Sequence, residues 1–345
     1  MKRSLFMLGV AVAALSSCSQ SEILEVAEGR AIGFSSFVNN NTRAVTEIQA
    51  GSLESSQFNV FGNYGDGSNW EGIAYQNEPG SNKYYWKESN TYCFGAYADG
   101  VTGRIEDAKF DPSTKTLSFL QYSPNDAKDL IACVSQDVEV ENVQEQGPVE
   151  LNFKHMLSQV AFEFTTDAAD IYELKISNVK IIGAISKTSG SISVKNGIVW
   201  DTNEAIYDGY VYESFTDGID IADGKLQPAR TSSQTKLVIP QVLGENVQVL
   251  FKATLKDGNN NGEELKEQNF KAKLTFTKSD AQGSSDPDSG KWTAGYRYKY
   301  TTKITADMID GDLKDKDIEF TATVSDWENA EMGDSGSLKP SQSGN

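Results

Sequence analysis

The sequence predicts an all-β chain divided into two domains, and three observations lead there. Short runs rich in β-branched and aromatic residues recur roughly every ten to twenty residues, separated by Gly, Asn, Asp, Pro and Ser. Within many runs apolar and polar residues alternate, which is the period of a strand with one buried face. The 345 residues, 38% apolar and 10% aromatic, suffice for two cores of ordinary size.

The chain opens with MKRSLFMLGVAVAALSSCSQ. Lys2 and Arg3 precede an apolar stretch over residues 5–15 that is too short to span a bilayer as a helix. Residues 1–18 are therefore read as an export signal. Its end, Leu15-Ser16-Ser17-Cys18, resembles the lipobox of bacterial lipoproteins, which implies removal of the signal and lipid attachment at Cys18. A plain secretory signal with an incidental cysteine is the alternative.

Residues 19–43 are read as a propeptide with a removable strand. A polar stalk, SQSEILEVAEGR, leads into AIGFSSFV, whose Ile32 and Phe34 carry a strand-like pattern, and then into the turn-favouring NNNTR. An exposed Arg43–Ala44 bond after a strand is a target for an Arg-specific protease. Arg30–Ala31 is a second such bond, but it precedes the strand. A cut there frees only the stalk; a cut at Arg43 frees the strand from whatever sheet holds it.

A first β-sandwich is expected over residues 44–148, from FNVFGNYG, KYYWKES, TYCFGAYA, TLSFLQYS and DLIACVS. SLESSQFN and ENVQEQG lack a sustained helical apolar face and predict at most a surface turn or two. Gly147-Pro148 interrupts regular structure, and beyond it Val149, Leu151 and Phe153 alternate with Glu150, Asn152 and Lys154. A new sheet is expected to start there. The runs LKISNVKIIG, SISVKNGIVW, TKLVIPQVL, VQVLFKATL, FKAKLTFTK, YRYKYTTKIT and IEFTATVSDW complete a second sandwich over 149–330. Alternation ceases after Trp327, and 331–345 is a polar tail.

A formal charge of −18 argues against nucleic acid and anionic membranes as partners, since the phosphate term would be repulsive. Cys93 and Cys133 could pair in an oxidising compartment or be two separately buried thiols. His155 is the only histidine and has no zinc or triad motif around it, so it reads as structural. In DGNNNGEELKEQ, Asp257, Asn259, Asn261 and Gly262 match the start of a calcium loop, but Gln268 stands where the bidentate glutamate belongs. A hairpin loop explains it more simply, as a solvated turn explains SSDPDSG. The clusters Trp70/Tyr75, Tyr84/Tyr85/Trp86 and Tyr296/Tyr298/Tyr300 could stack on sugars, although tyrosines at every second position also build one face of a strand. No metal, cofactor or catalytic motif emerges.

Several fragments together resemble the fimbrillins, pilin-type surface lipoproteins of Bacteroides-like bacteria. They are the lipobox at Cys18; Ile32 and Phe34 followed by Thr42-Arg43-Ala44; Phe153, His155, Leu157, Ser158, Val160 and Phe162; Ile239-Pro240-Gln241; Trp292, Gly295, Tyr298 and Tyr300; and Val324, Asp326 and Trp327. The resemblance implies two transthyretin-like β-sandwich domains in tandem and export as a lipoprotein to the outer membrane. It also implies cleavage after Arg43 by an Arg-specific protease, and assembly with other fimbrial subunits into a surface fimbrium. Removal of the first strand would open a groove that a neighbour's strand could fill. The C-terminus departs from the pattern, since Met332 and Leu338 are the only large apolar residues after Trp327. Either IEFTATVSDW is the donor strand, or the chain is an accessory or tip subunit that accepts a strand and donates none. A monomeric surface lipoprotein that binds glycan through its aromatic patches is the alternative reading, and a host or glycan ligand fits either.

Overall fold

A computed structural model describes residues 30–38, 46–48, 58–64, 84–99, 105–126, 129–166, 172–221, 235–258, 262–276, 281–282, 289–310 and 318–326. Within them the regular secondary structure is almost entirely strand. The first half carries β1 (Phe34–Val38), β2 (Thr46–Ile48), β3 (Asn59–Tyr64), β4 (Asn90–Asp99), β5 (Ala108–Asp111), β6 (Thr116–Tyr122), β7 (Leu130–Val134), β8 (Val138–Val140) and β9 (Val149–His155). There follow β10 (Ser158–Thr166), β11 (Tyr172–Ile182), β12 (Thr188–Ser193), β13 (Gly197–Trp200), β14 (Tyr210–Val211), β15 (Ile219–Ile221) and β16 (Thr235–Val238). The last elements are β17 (Gln248–Asp257), β18 (Glu264–Lys273), β19 (Ala281–Gln282), β20 (Tyr296–Ile304), the short helix α1 (Ala306–Asp310) and β21 (Thr321–Asp326).

These strands form four sheets. One has the order β2-β1-β9-β7-β4-β3, with β8 also beside β4, and a second has the order β13-β12-β6-β5. Their facing sides bury Phe61, Tyr97 and Leu130 against Leu117, Phe119 and Ile192. Gly95 permits the close approach, since a Cβ there would lie 2.6 Å from the Phe110 ring. The other two sheets, β16-β10-β20-β21-β19 and β14-β11-β17-β18, enclose one core with Phe162, Phe164, Tyr298 and Tyr300 facing Ile176, Val249 and Phe251. At the edge of the last sheet, β18 exposes Glu264, Lys266, Glu267 and Lys271, charges that discourage pairing with another chain.

Several expectations are revised here. The strand at 149–155 does not open a second sandwich; β9 pairs with β1 and β7 in the first. SISVKNGIVW is a hairpin, β12 and β13, and β12 pairs with β6 of the first sandwich. Its place follows from packing, because Gly190 lies beneath the ring of Trp200 and the Trp200 Nε1–H donates to the Met156 carbonyl at 2.9 Å. KYYWKES makes only an isolated bridge at Tyr85, whereas ENVQEQG is the single surface turn expected of it, a 3₁₀ turn at Val143–Glu145. Much of SLESSQFN lies outside the described residues.

The joint between the sandwiches lies where β9 runs on into β10 and along β16 and the residue after it. Met156, Leu157, Leu237 and Ile239 enter the first core, while Val160 and Val238 beside them enter the second. Several polar groups there are paired. The Tyr210 hydroxyl donates to the Ile185 carbonyl at 2.6 Å and accepts from the Ile239 N–H at 3.0 Å. Gln241 Oε1 accepts from the Ile185 N–H at 2.8 Å. Lys236 is buried between Asp126 and Glu213; burial opposes its charge, but the two carboxylates outweigh that and raise its pKa.

Candidate functional site

The segment that begins the described chain is built into the first sandwich. Its first part pairs with residues 84–86: the Ile32 N–H donates to the Tyr84 carbonyl at 2.9 Å, and the Trp86 N–H donates to the Arg30 carbonyl at 3.0 Å. At Gly33 the partner changes. The Val149 N–H donates to the Gly33 carbonyl at 2.8 Å, and from Phe34 to Val38 β1 runs parallel to residues 149–153 of β9. On its other side β1 pairs with β2, for which it is the sole partner among the described residues.

This placement closes a ring. Residues 84–86 lead by a turn into β4, and β4 is joined through β7 and β9 back to β1. The seated segment therefore bridges two parts of a sheet wrapped round the apolar cluster of Trp86, Tyr92, Phe94, Ile131, Leu151 and Phe153. Ile32 and Phe34, both 0% exposed, fill that cluster, and the Phe34 ring meets Phe94 edge-on at 5.3 Å. Burying two such side chains contributes about 1.5–3 kcal/mol each. Removing the segment would strip the core of both and leave β9 and 84–86 with unpaired backbone groups.

Of the residues singled out in the sequence, Ile32 and Phe34 lie in this seat. Cys18, Arg43 and Ala44 lie outside the described residues; residues 39–45 connect β1 to β2. Arg30, the other arginine, is exposed, and its Nη1 donates to the Gln144 carbonyl at 2.7 Å. Three parts of the seat went unrecognised in the sequence: the 84–86 arm, the Gln144 carbonyl, and β9 as a parallel partner. The apolar alternation of 149–153 was a legible signal of a buried face, but not of which sheet owned it.

The remaining candidates resolve otherwise. Trp86 is 3% exposed, Tyr298 and Tyr300 are core residues, and Tyr84 and Tyr85 are half-buried, so these rings form no open stacking platform. Trp70 and Tyr75 lie outside the described residues. His155 is buried with its Nδ1 2.8 Å from Asp129 Oδ2. In the 257–262 turn the Gly262 N–H donates to the Asp257 carbonyl, as in a hairpin connection; Asn259 and Asn261 lie outside the described residues, as does most of SSDPDSG. No group of three metal-ligating side chains occurs among the described residues. Cys93 and Cys133 project to opposite faces of the seven-stranded sheet, since Cys133 sits opposite Ala96 and shares its core, and Cys93 is three residues from Ala96. They stand as two free buried thiols. The IEFTATVSDW segment is not a spare strand: β21 lies between β20 and β19 with Ala322 and Val324 in the second core.

Comparison with known proteins gives a consistent picture. Residues 25–327 match the model of a fimbrillin-like family. No curated protein matches the sequence. Among solved structures, a fimbrial protein from Bacteroides vulgatus superposes with a TM-score of 0.54 at 14% identity, covering 86% of this chain and 99% of that one. A fimbrilin from Porphyromonas gingivalis gives a TM-score of 0.47 at 12% identity, covering 87% of this chain and 98% of that one. At such identities a likeness concerns the fold, and the first of the two carries it.

Proposed function

This chain belongs to the fimbrillin-like family, and from that membership we propose that it is a structural, non-enzymatic subunit of a surface fimbrium, exported as a lipoprotein through Cys18. Cleavage after Arg43 leaves Ala44 as the new N-terminus and releases the strand at 31–38. A strand from a neighbouring subunit then takes its seat, held by main-chain hydrogen bonds along β9 and by side chains in the places of Ile32 and Phe34. Head-to-tail contacts of this kind do not close and give a filament. One observation carries the reading: a segment joined to the body through residues 39–45 alone supplies two fully buried side chains to the first core.

The other end of the chain supports a reading of its position in the filament. Because β21 is integral to the second sandwich, residues 321–326 do not serve as the donor. The chain is read as an accessory or tip subunit that accepts a strand. An arginine-specific endoprotease added to the purified precursor should yield a core beginning at Ala44 that, unlike the uncut precursor, captures an added synthetic peptide of residues 31–38. A core beginning at Ala44 that captures no such peptide would overturn strand exchange.

A further inference from the structure

The sequence holds two Arg-Ala bonds on either side of the first strand, Arg30–Ala31 and Arg43–Ala44. The structure treats the first of them in a particular way. To be hydrolysed, the Arg30 carbonyl must turn into a protease's oxyanion hole and its guanidinium must enter the specificity pocket. Both groups are engaged elsewhere. The carbonyl accepts from the Trp86 N–H at 3.0 Å, the guanidinium donates to the Gln144 carbonyl at 2.7 Å, and the backbone just beyond is held by the Ile32 N–H to the Tyr84 carbonyl at 2.9 Å. Trp86 and Ile32 are themselves anchored in the core. Arg30 therefore has an exposed side chain but a peptide bond that is out of reach until the segment leaves its seat.

We propose that Arg30–Ala31 is a latent second cleavage site that opens only after the strand is released. This rests on the maturation reading above. In the precursor the bond is protected, so the subunit is not severed from its stalk while still plugged. Once the cut at Arg43 lets the segment go, the same three hydrogen bonds are lost and the bond becomes an ordinary extended substrate. An arginine-specific endoprotease then adds water across it: the C–N bond breaks, the Arg30 carbonyl gains a hydroxyl oxygen and leaves as a carboxylate, and Ala31 leaves with a free ammonium. The released piece loses Arg30, whose carbonyl and guanidinium tie it to Trp86 and Gln144, and so competes poorly with an incoming strand. Removal becomes irreversible.

The experiment follows the cut sites by mass spectrometry over time with one arginine-specific endoprotease. Three substrates are compared: the wild-type precursor, the Arg43→Gln precursor, and a synthetic peptide of residues 19–43. Cleavage at Arg30 should be at least about tenfold slower in Arg43→Gln than in the free peptide, as expected for a site that needs several hydrogen bonds opened. In the wild type, the fragment 31–43 should appear after the core that starts at Ala44. If Arg43→Gln is cut at Arg30 as fast as the peptide, or if the released segment stays whole, the proposal is overturned while the maturation reading stands. If the wild type never yields a core starting at Ala44, it is the maturation reading that fails.

Discussion

The described chain begins and ends with a strand inside a sheet, and the two are held differently. β1 brings bulky filling to its core: Phe34, with Ile32 just before it, is fully buried. Its ladder is to β9, more than a hundred residues away, and runs parallel. β21 contributes the smaller Ala322 and Val324 and is laced antiparallel to β20 over residues 321–326, within a sandwich whose core is made by its own sheets. Lying at the end of the chain does not make a strand removable. A strand can be exchanged when its core contacts are made at a distance and one cut connection severs it from all its partners.

Three measurements break or sharpen this contrast. Phe34→Ala in the uncut precursor should cost about 3–5 kcal/mol in denaturant titrations, the range for an aromatic truncated in a core. Val324→Ala should cost less, about 2–3 kcal/mol, from two methyl-sized groups at about 0.8 kcal/mol each plus a small cavity. Equal costs would erase the distinction between a plug and an ordinary core strand. Next, Tyr210→Phe removes the hydroxyl that serves Ile185 and Ile239 at the joint. It should lower stability by about 1–3 kcal/mol. Fluorescence and circular dichroism should shift together, because the joint belongs to both cores; a shift confined to one sandwich would show them independent.

The smallest effect is a difference in thiol reactivity. Burial pushes the Cys93 thiol up to about 11 and that of Cys133 higher still, so at pH 8 neither carries much thiolate and neither should react with a thiol reagent in the intact precursor. Cys133 shares the cluster of Ile32 and Phe34, while Cys93 points to the other face. After cleavage and release of the strand, Cys133 should label severalfold faster than before and Cys93 at its former rate. Faster labelling of both would mean general loosening of the sandwich and not an opened seat.

Parts of this architecture were legible as motifs before their meaning was. Three of the family-like fragments, within residues 153–162, 239–241 and 292–300, meet at the joint. The Gly295 N–H donates to the Leu157 carbonyl at 2.8 Å, Ser158 Oγ–H to the Thr293 carbonyl at 2.7 Å, and Gln241 and Trp292 exchange backbone hydrogen bonds. Trp292 Nε1–H also reaches the Tyr300 hydroxyl at 3.0 Å. Their residue types are those of turns and satisfied buried polar groups, which explains why they stand out in sequence without marking a catalytic or binding site.

Residue order alone determined most of the strands and which of their faces are apolar, because alternation and β-branched or aromatic content act locally. It also marked the arginine-bearing segment beside Ile32 and Phe34. Only the tertiary structure decided which strands are neighbours: that β9 belongs with β1, that β12 and β13 return to the first sandwich, and that β21 is not spare. Backbone hydrogen bonds are chemically alike on every strand, so pairing is chosen by which apolar faces can be buried together, and that choice involves the whole chain at once.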